Sequence, residues 1–283
     1  MGRRGTGTVV LTLAALLAFA ANSLLCRWAL RSGAVIDPAS FTAIRLASGA
    51  LVLTLIAGSK GEIVVRAGSW RSAAALFVYA IAFSFAYVSL NTATGALILF
   101  GAVQLTMFGV GLRSGERVGL WRTAGIALAV SGLVILLLPD ATMPSPLGAA
   151  LMASAGISWG AYSLRGRGVT NPTTVTAGNF QRALLPALVT SAIFMMTMRV
   201  TTRGALLAAI SGAVTSGLGY VVWYRALRGH SATSAAVVQL AVPVLAAIAG
   251  ALLLGETLTL RFIVAALLTL GGIAIASARR DKA

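Results

Sequence analysis

Ten stretches of mostly apolar residues follow one another through this chain, near residues 8–30, 38–58, 72–91, 95–112, 121–138, 147–164, 173–198, 203–226, 232–254 and 260–278. Each approaches the roughly 20 residues that an α-helix needs to cross the hydrocarbon of a bilayer. Turn-rich points separate them, among them Gly58-Ser59-Lys60-Gly61, Pro139 to Pro146, Gly166-Arg167-Gly168 and Gly229-His230-Ser231. The connections are short and leave no room for a soluble domain. Apolar residues make up 58% of the 283 and charged residues only 10%, whereas a soluble domain carries roughly 25% charged residues. A soluble fold of this size cannot hide so much apolar surface. An ordinary soluble enzyme, a disordered chain and a disulfide-rich module are thereby excluded. The expectation is an all-α integral membrane protein with ten transmembrane helices.

The charge pattern orients those helices. Twenty-two Lys and Arg against six Asp and Glu give a net charge of +16. The basic residues are scattered in small groups between apolar runs, which argues against nucleic acid as a partner and for cytoplasmic loops rich in Lys and Arg. With the N-terminus inside, the inner segments carry fifteen of them: Arg3, Arg4, Lys60, Arg66, Arg71, Arg113, Arg117, Arg122, Arg165, Arg167, Arg225, Arg228, Arg279, Arg280 and Lys282. The outer segments carry five: Arg27, Arg31, Arg199, Arg203 and Arg261. Both termini are therefore expected in the cytoplasm, with the chain in the cytoplasmic membrane. Arg3 and Arg4 ahead of an apolar run resemble a signal peptide, but the run continues to Leu30 and nine more follow, so an uncleaved first helix is expected.

The two halves of the chain are alike. Gly115-Glu116 precedes the fifth stretch and Gly255-Glu256 the tenth, 140 positions later. Arg45 matches Arg182, Phe83 matches Tyr220, and Tyr87 matches Tyr224, each at an offset of 137. Five spans per half, an odd number, make the second half cross the membrane in the opposite direction to the first. The expected domains are a first repeat over 1–140 and an inverted second repeat over 141–283. Such inverted repeats characterise alternating-access transporters, with substrate bound near the midplane at their interface.

Ten spans, two five-span halves and the recurring Gly-Glu resemble the drug/metabolite transporter superfamily, and within it the EamA-type exporters. The overall length and the first half resemble its YddG amino-acid exporters. The resemblance covers nearly the whole chain. It implies an inner-membrane exporter with a central cavity walled by spans one, three, four, six, eight and nine.

Residues inside the spans point to the chemistry. The six acids Asp37, Glu62, Glu116, Asp140, Glu256 and Asp281 all fall in loops or at span ends, so no intramembrane carboxylate is available as a proton relay. A facilitator or a cargo exchanger is expected instead of carboxylate-based proton antiport. Cys26 and His230 are the only Cys and His, which leaves no metal cluster, no cofactor and no nucleophile–base pair, and hence no enzyme.

Arg45 and Arg182 are the charged residues within spans. Each either holds a gate or a substrate carboxylate, or anchors helix ends by snorkelling, and the anchor is the default. Glu116 and Glu256 each stand before an apolar helix and complement its positive N-terminus. Tyr79, Phe83 and Tyr87 share one helix face, as do Tyr220, Trp223 and Tyr224. Tyr79, Phe83, Tyr220 and Trp159 are candidates for an aromatic cavity wall. Tyr87, Trp223 and Tyr224 are expected in an interfacial aromatic belt. Asn22, Gln104, Ser216 and Gln239 are candidate polar contacts to substrate, because hydrocarbon cannot satisfy them. Pro243 is expected to kink span nine and to serve as a hinge.

These residues together predict an exporter of small amphipathic metabolites, neutral or aromatic amino acids foremost, for which a monomer suffices. Other readings are an exporter of drugs or other metabolites and, more remotely, a receptor or scaffold that moves nothing.

Overall fold

A computed structural model describes residues 2–31, 33–113, 119–138, 143–166, 169–228 and 238–278. The regular elements among the described residues are all helices, with one isolated antiparallel bridge between Ile36 and Val200. In chain order the helices are α1 (Gly2–Leu30), α2 (Pro38–Gly58), α3 (Trp70–Ala86), α4 (Thr92–Arg113), α5 (Leu120–Leu137), α6 (Pro146–Gly166) and α7 (Pro172–Ile193). A 3₁₀ turn over Met195–Thr197 leads to α8 (Thr202–Leu227), which is π-helical over Ser211–Leu218. The last two are α9 (Ala241–Leu254) and α10 (Leu260–Ala278). By length and composition Gly7–Leu30, Pro38–Gly58, Thr92–Val110 and Thr202–Leu227 are able to cross a membrane. Trp70–Ala86, Thr123–Leu137, Ala241–Leu254 and Leu260–Ala276 are shorter apolar helices.

Local chemistry sets several ends. The Asp37 carboxylate accepts the Ser40 amide at 2.9 Å and Pro38 opens α2, a favoured start because proline has no amide hydrogen to lose there. Ser69 caps α3 and Thr201 caps α8 in the same manner. Gly255, with φ of +67°, closes α9 in the left-handed conformation open to glycine.

The packing reverses that of a soluble protein. Leu51, Leu55, Val189, Leu252 and Leu267 are exposed on the helix surfaces, while Asn22, Arg45, Ser84, Gln104, Asn179 and Gln239 are buried. Apolar side chains face hydrocarbon at little cost, and polar ones must find partners inside. α2 packs on α7 and α8, α3 on α6 and α7, and α4 on α6 and α9, while α1 lies against α8 and α9. α5 and α10 pair with each other through small residues: a Cβ added at Gly272 would lie 2.5 Å from the Gly125 carbonyl oxygen. Helices in lipid associate through such close approach.

Candidate functional site

The middle of the bundle is organised around Arg45. α2 crosses the π-helical part of α8 on glycine. A Cβ at Gly212 would lie 2.0 Å from the Arg45 carbonyl oxygen, and one at Gly49 would lie 3.0 Å from the Gly212 carbonyl oxygen. This crossing puts the fully buried Arg45 side chain among residues of α3 and α8. Its Nε donates to Ser216 Oγ at 2.9 Å, and its Nη2 to the hydroxyls of Tyr79 at 3.0 Å and Tyr220 at 3.2 Å. The guanidinium carbon lies 5.2 Å from the centre of the Tyr79 ring and 5.1 Å from that of Phe83. Nη1 has no hydrogen-bond partner. The described carboxylates are occupied elsewhere: Asp37 caps α2, Glu62 bonds Thr174, and Glu256 pairs with Arg27. An arginine at the centre of a membrane helix costs roughly 2.5–3.5 kcal/mol on insertion scales. Three hydrogen bonds and two ring faces offset that cost without neutralising the charge.

Asn22 of α1 is the second hub. A π-helix closes i→i+5 bonds and widens the turn, so residues four and five apart share a face. Ser211, Thr215 and Ser216 accordingly donate to Asn22 Oδ1 at 2.7, 3.1 and 3.4 Å. Asn22 Nδ2 reaches the Tyr79 hydroxyl at 3.4 Å. The carboxamide oxygen is thereby saturated, and α1, α3 and α8 are joined by one polar network that Arg45 extends to α2.

Aromatic rings surround this network. A central cavity is lined by Phe19, Asn22, Ser23, Tyr79, Phe83, Leu99, Phe100, Trp159 and Tyr220, and its volume is about 10 Å³, room for no more than one water. Trp159 lies 4.6 Å from Tyr220, 5.0 Å from Tyr79 and 5.8 Å from Phe19, centre to centre. The contacts continue in both directions. Tyr79, Phe83 and Tyr87 follow at 5.4 and 4.8 Å, and Tyr162 and Tyr224 at 5.7 and 6.5 Å. A column of rings therefore runs from one end of the bundle to the other.

Each end of the column has its own closure. Past Tyr87, Arg27 Nε pairs with Glu256 Oε1 at 3.2 Å, and Arg27 Nη1 donates to the carbonyls of Tyr87 and Val88 at 2.9 and 3.0 Å. Glu256 Oε2 accepts the Thr92 amide at 2.8 Å, and Arg31 donates to the Leu254 carbonyl. The ends of α1, α3 and α9 and the start of α4 are thus tied together. At the other end a cavity of about 20 Å³ is lined by Ser72, Tyr162, Arg165, Asn179 and Tyr224 among others. There Arg165 donates to Ser72 Oγ, and Asn179 bridges the Ser69 amide and the Tyr162 hydroxyl.

Known proteins resemble this chain in sequence and in fold. Residues 146–278 match the EamA-like transporter family. An uncharacterized protein of Pseudomonas aeruginosa is 53% identical over 274 residues, covering 96% of this chain and 95% of that protein. The chain belongs to the EamA-like transporter family. An uncharacterized transporter of Archaeoglobus fulgidus is 28% identical over 199 residues, 69% of this chain and 70% of its own length. A crystal structure superposes with a TM-score of 0.68 at 20% identity, covering 95% of this chain and 96% of that one, which shows a common fold. Membership makes the chain a multi-pass membrane protein of the drug/metabolite transporter superfamily that moves a small substrate.

In this EamA-like transporter Asn22, Tyr79, Phe83, Trp159 and Tyr220 all line the central cavity, and Ser216 stands behind it, bonded to Arg45 and Asn22. Gln104 and Gln239 are buried but line neither cavity. The central lining comes from α1, α3, α4, α6 and α8; α9 contributes none of it.

The remaining candidates fall in different settings, some of them against expectation. Arg45 and Arg182 match in sequence yet differ in setting. Arg182, midway along α7, is half-buried and donates to the carbonyls of Val65 and Ala67 in the loop before α3 and of Gly178 one turn earlier in its own helix, whereas Arg45 lies in the middle of the bundle. Tyr87, Trp223 and Tyr224 are buried and do not form an interfacial belt, because Tyr87 packs against Gly95 of α4, Trp223 against Phe19 of α1 and Tyr224 against Tyr162 of α6. Trp70 and Trp121 are the exposed tryptophans. Glu256 complements a helix N-terminus, but that of α4 instead of the α10 it precedes. Pro243 lies in the first turn of α9, just after the helical path breaks at Leu240, where Pro243 has no amide to offer the Gln239 carbonyl. Glu116 and His230 lie outside the described residues.

Phe19, Ser211 and the central place of Arg45 were missed. The signal for Phe19 was its spacing of three from Asn22, which puts both on one helix face.

Proposed function

We propose that this chain exports small amphipathic metabolites, neutral or aromatic amino acids in particular, across the cytoplasmic membrane by alternating access, with both termini in the cytoplasm. The observation that carries the reading is the ring-lined chamber between the two halves, closed toward one end by the Arg27–Glu256 pair. Apolar and aromatic side chains of the cargo suit its walls. Its lining has no carboxylate, which supports a facilitator or exchanger over carboxylate-based proton antiport.

Ten spans in two inverted five-helix repeats, 1–140 and 141–283, are the architecture behind it. The packing supports this. Exchanging every helix for the one five later leaves α2–α7, α4–α9 and α5–α10 unchanged, and all three pairs are in contact. The same exchange turns α3–α6 into α8–α1 and α4–α6 into α9–α1, and these also touch. Resemblance to the YddG exporters in length and in the first half agrees with the amino-acid cargo.

Proteoliposomes test the proposal. Labelled phenylalanine and leucine should cross down their gradients, at a rate indifferent to a pH gradient, and Asn22→Ala should slow them. Flux that needs a pH gradient would sink the facilitator mechanism. An absence of amino-acid flux with active drug or metabolite flux would replace the cargo.

A further inference from the structure

On the reading of the central chamber as the substrate site, we propose that Arg45 is the fixed cation that receives the carboxylate of the cargo. The transported class is then small carboxylates with an apolar or aromatic body, and the ammonium group of an amino acid is not required.

The charge is fully buried and meets no carboxylate among the described residues. Arg45 bonds only neutral hydroxyls, those of Ser216, Tyr79 and Tyr220, and the faces of Tyr79 and Phe83. Nη1 carries two N–H groups and neither has a partner. Nη1 can donate to a carboxylate as it stands, and Nη2 supplies the second, parallel bond of the guanidinium fork once a tyrosine hydroxyl gives way. The partners already in place, Tyr79 and Tyr220, are themselves cavity lining, so the cation lies one side chain behind the chamber wall. A structural anchor would spend its donors on backbone carbonyls, as Arg182 does with Val65, Ala67 and Gly178. Arg45 makes no such bond among the described contacts.

The described lining of the chamber offers no matching site for an ammonium. Asn22 Oδ1 already accepts three hydroxyls, and the cavity lining holds no acid. Ring faces alone would meet that charge. The remaining lining, Phe19, Leu99, Phe100 and Trp159, is apolar and suits the body of the cargo.

The test is thermal stabilisation of the full-length protein in detergent by a matched series: phenylalanine, 3-phenylpropionate, phenylalaninamide and phenethylamine. The two acids should stabilise with apparent affinities within a few-fold of each other. The amide and the amine should bind at least tenfold more weakly, the loss that accompanies one charge-assisted contact. Arg45→Gln should abolish the preference for acids and Arg45→Lys should keep part of it. Asn22→Asp, which sets a carboxylate beside the Ser216 and Tyr79 shared with Arg45, should weaken the acids at least tenfold. Equal stabilisation by the amide and the acid in the unmutated protein would overturn the proposal, as would no stabilisation by either acid. Acids that bind without any amino-acid flux in proteoliposomes would sink the cargo reading above and leave Arg45 in its role. Amino-acid flux shared equally by amides would do the reverse.

Discussion

The pair between Arg27 and Glu256 offers a direct measure of how firmly one end of the bundle is held shut. The two side chains are 14% and 8% exposed, so water screens the contact little. Glu256→Gln keeps an acceptor for the Thr92 amide and removes only the charge. The loss is then the difference between a charge-assisted and a neutral hydrogen bond, roughly 1–2 kcal/mol. At about 1.4 kcal/mol per decade, the open-to-closed ratio of this end rises roughly 5- to 30-fold. Glu256→Ala also removes the partner of Arg27 Nε and of the Thr92 amide and leaves the Arg27 charge without its counter-ion. Breaking a shielded pair in that way costs roughly 3–5 kcal/mol, which corresponds to more than about 100-fold. Cys26, the one cysteine of the chain, is fully buried and adjoins Arg27, so it reports the opening. The assay is the labelling rate of Cys26 by a membrane-impermeant maleimide in proteoliposomes, with thermal unfolding as a check on folding. Rates should rise in the order unmutated, Gln, Ala. Identical rates in three folded proteins would refute the closure argument, because the pair would then contribute equally to open and closed states.

Other positions give separate tests. Gly212→Ala forces a Cβ to 2.0 Å from the Arg45 carbonyl and should lower stability by roughly 1–3 kcal/mol. Gly109→Ala, where nothing lies within 4 Å, should not; thermal unfolding of the two variants checks the contrast. Asp37→Ala removes the cap on Ser40 and the bond from the Arg199 amide, and should cost roughly 1–2 kcal/mol in the same measurement. The Glu62 carboxyl is held below the usual carboxylate range, first by the Thr174 hydroxyl and then by Asn171. A depressed folded pKa means that its contribution is complete at neutral pH and is lost as pH falls through that folded value. The stability difference between the unmutated protein and Glu62→Gln should therefore be constant from about pH 6 to 8 and shrink as pH falls below the usual Glu range; a difference that grows in acid would contradict the assignment.

Much of the helical framework was legible in the chain itself. The apolar stretches near 38–58 and 260–278 coincide with α2, Pro38–Gly58, and α10, Leu260–Ala278. Asp37-Pro38 and Gly255 mark helix ends by local hydrogen bonding and backbone conformation alone. The shared face of Tyr79, Phe83 and Tyr87 follows from the helical period, and the exclusion of acids from the stretches follows from the cost of charge in hydrocarbon. α3 nevertheless stops at Ala86, short of 91, and Arg27 binds the freed carbonyls of Tyr87 and Val88.

Which buried groups meet was decided only by the tertiary structure. Arg45 and Arg182 are the same residue in similar apolar runs, yet one faces the glycine-lined crossing with α8 and the other faces the loop before α3. Nothing within either helix distinguishes them, since the difference lies in a neighbour more than 100 residues away. Glu256 stands four residues ahead of α10 but caps α4, 164 positions earlier in the chain. The π-helical turn that gathers Ser211, Thr215 and Ser216 onto Asn22 is likewise set by a partner 189 to 194 positions distant. Transfer free energy and helical periodicity act on each segment by itself and so can be read along the chain. Helix crossings depend on side-chain shape across the interface, and these determine which buried charge is left without a counter-ion.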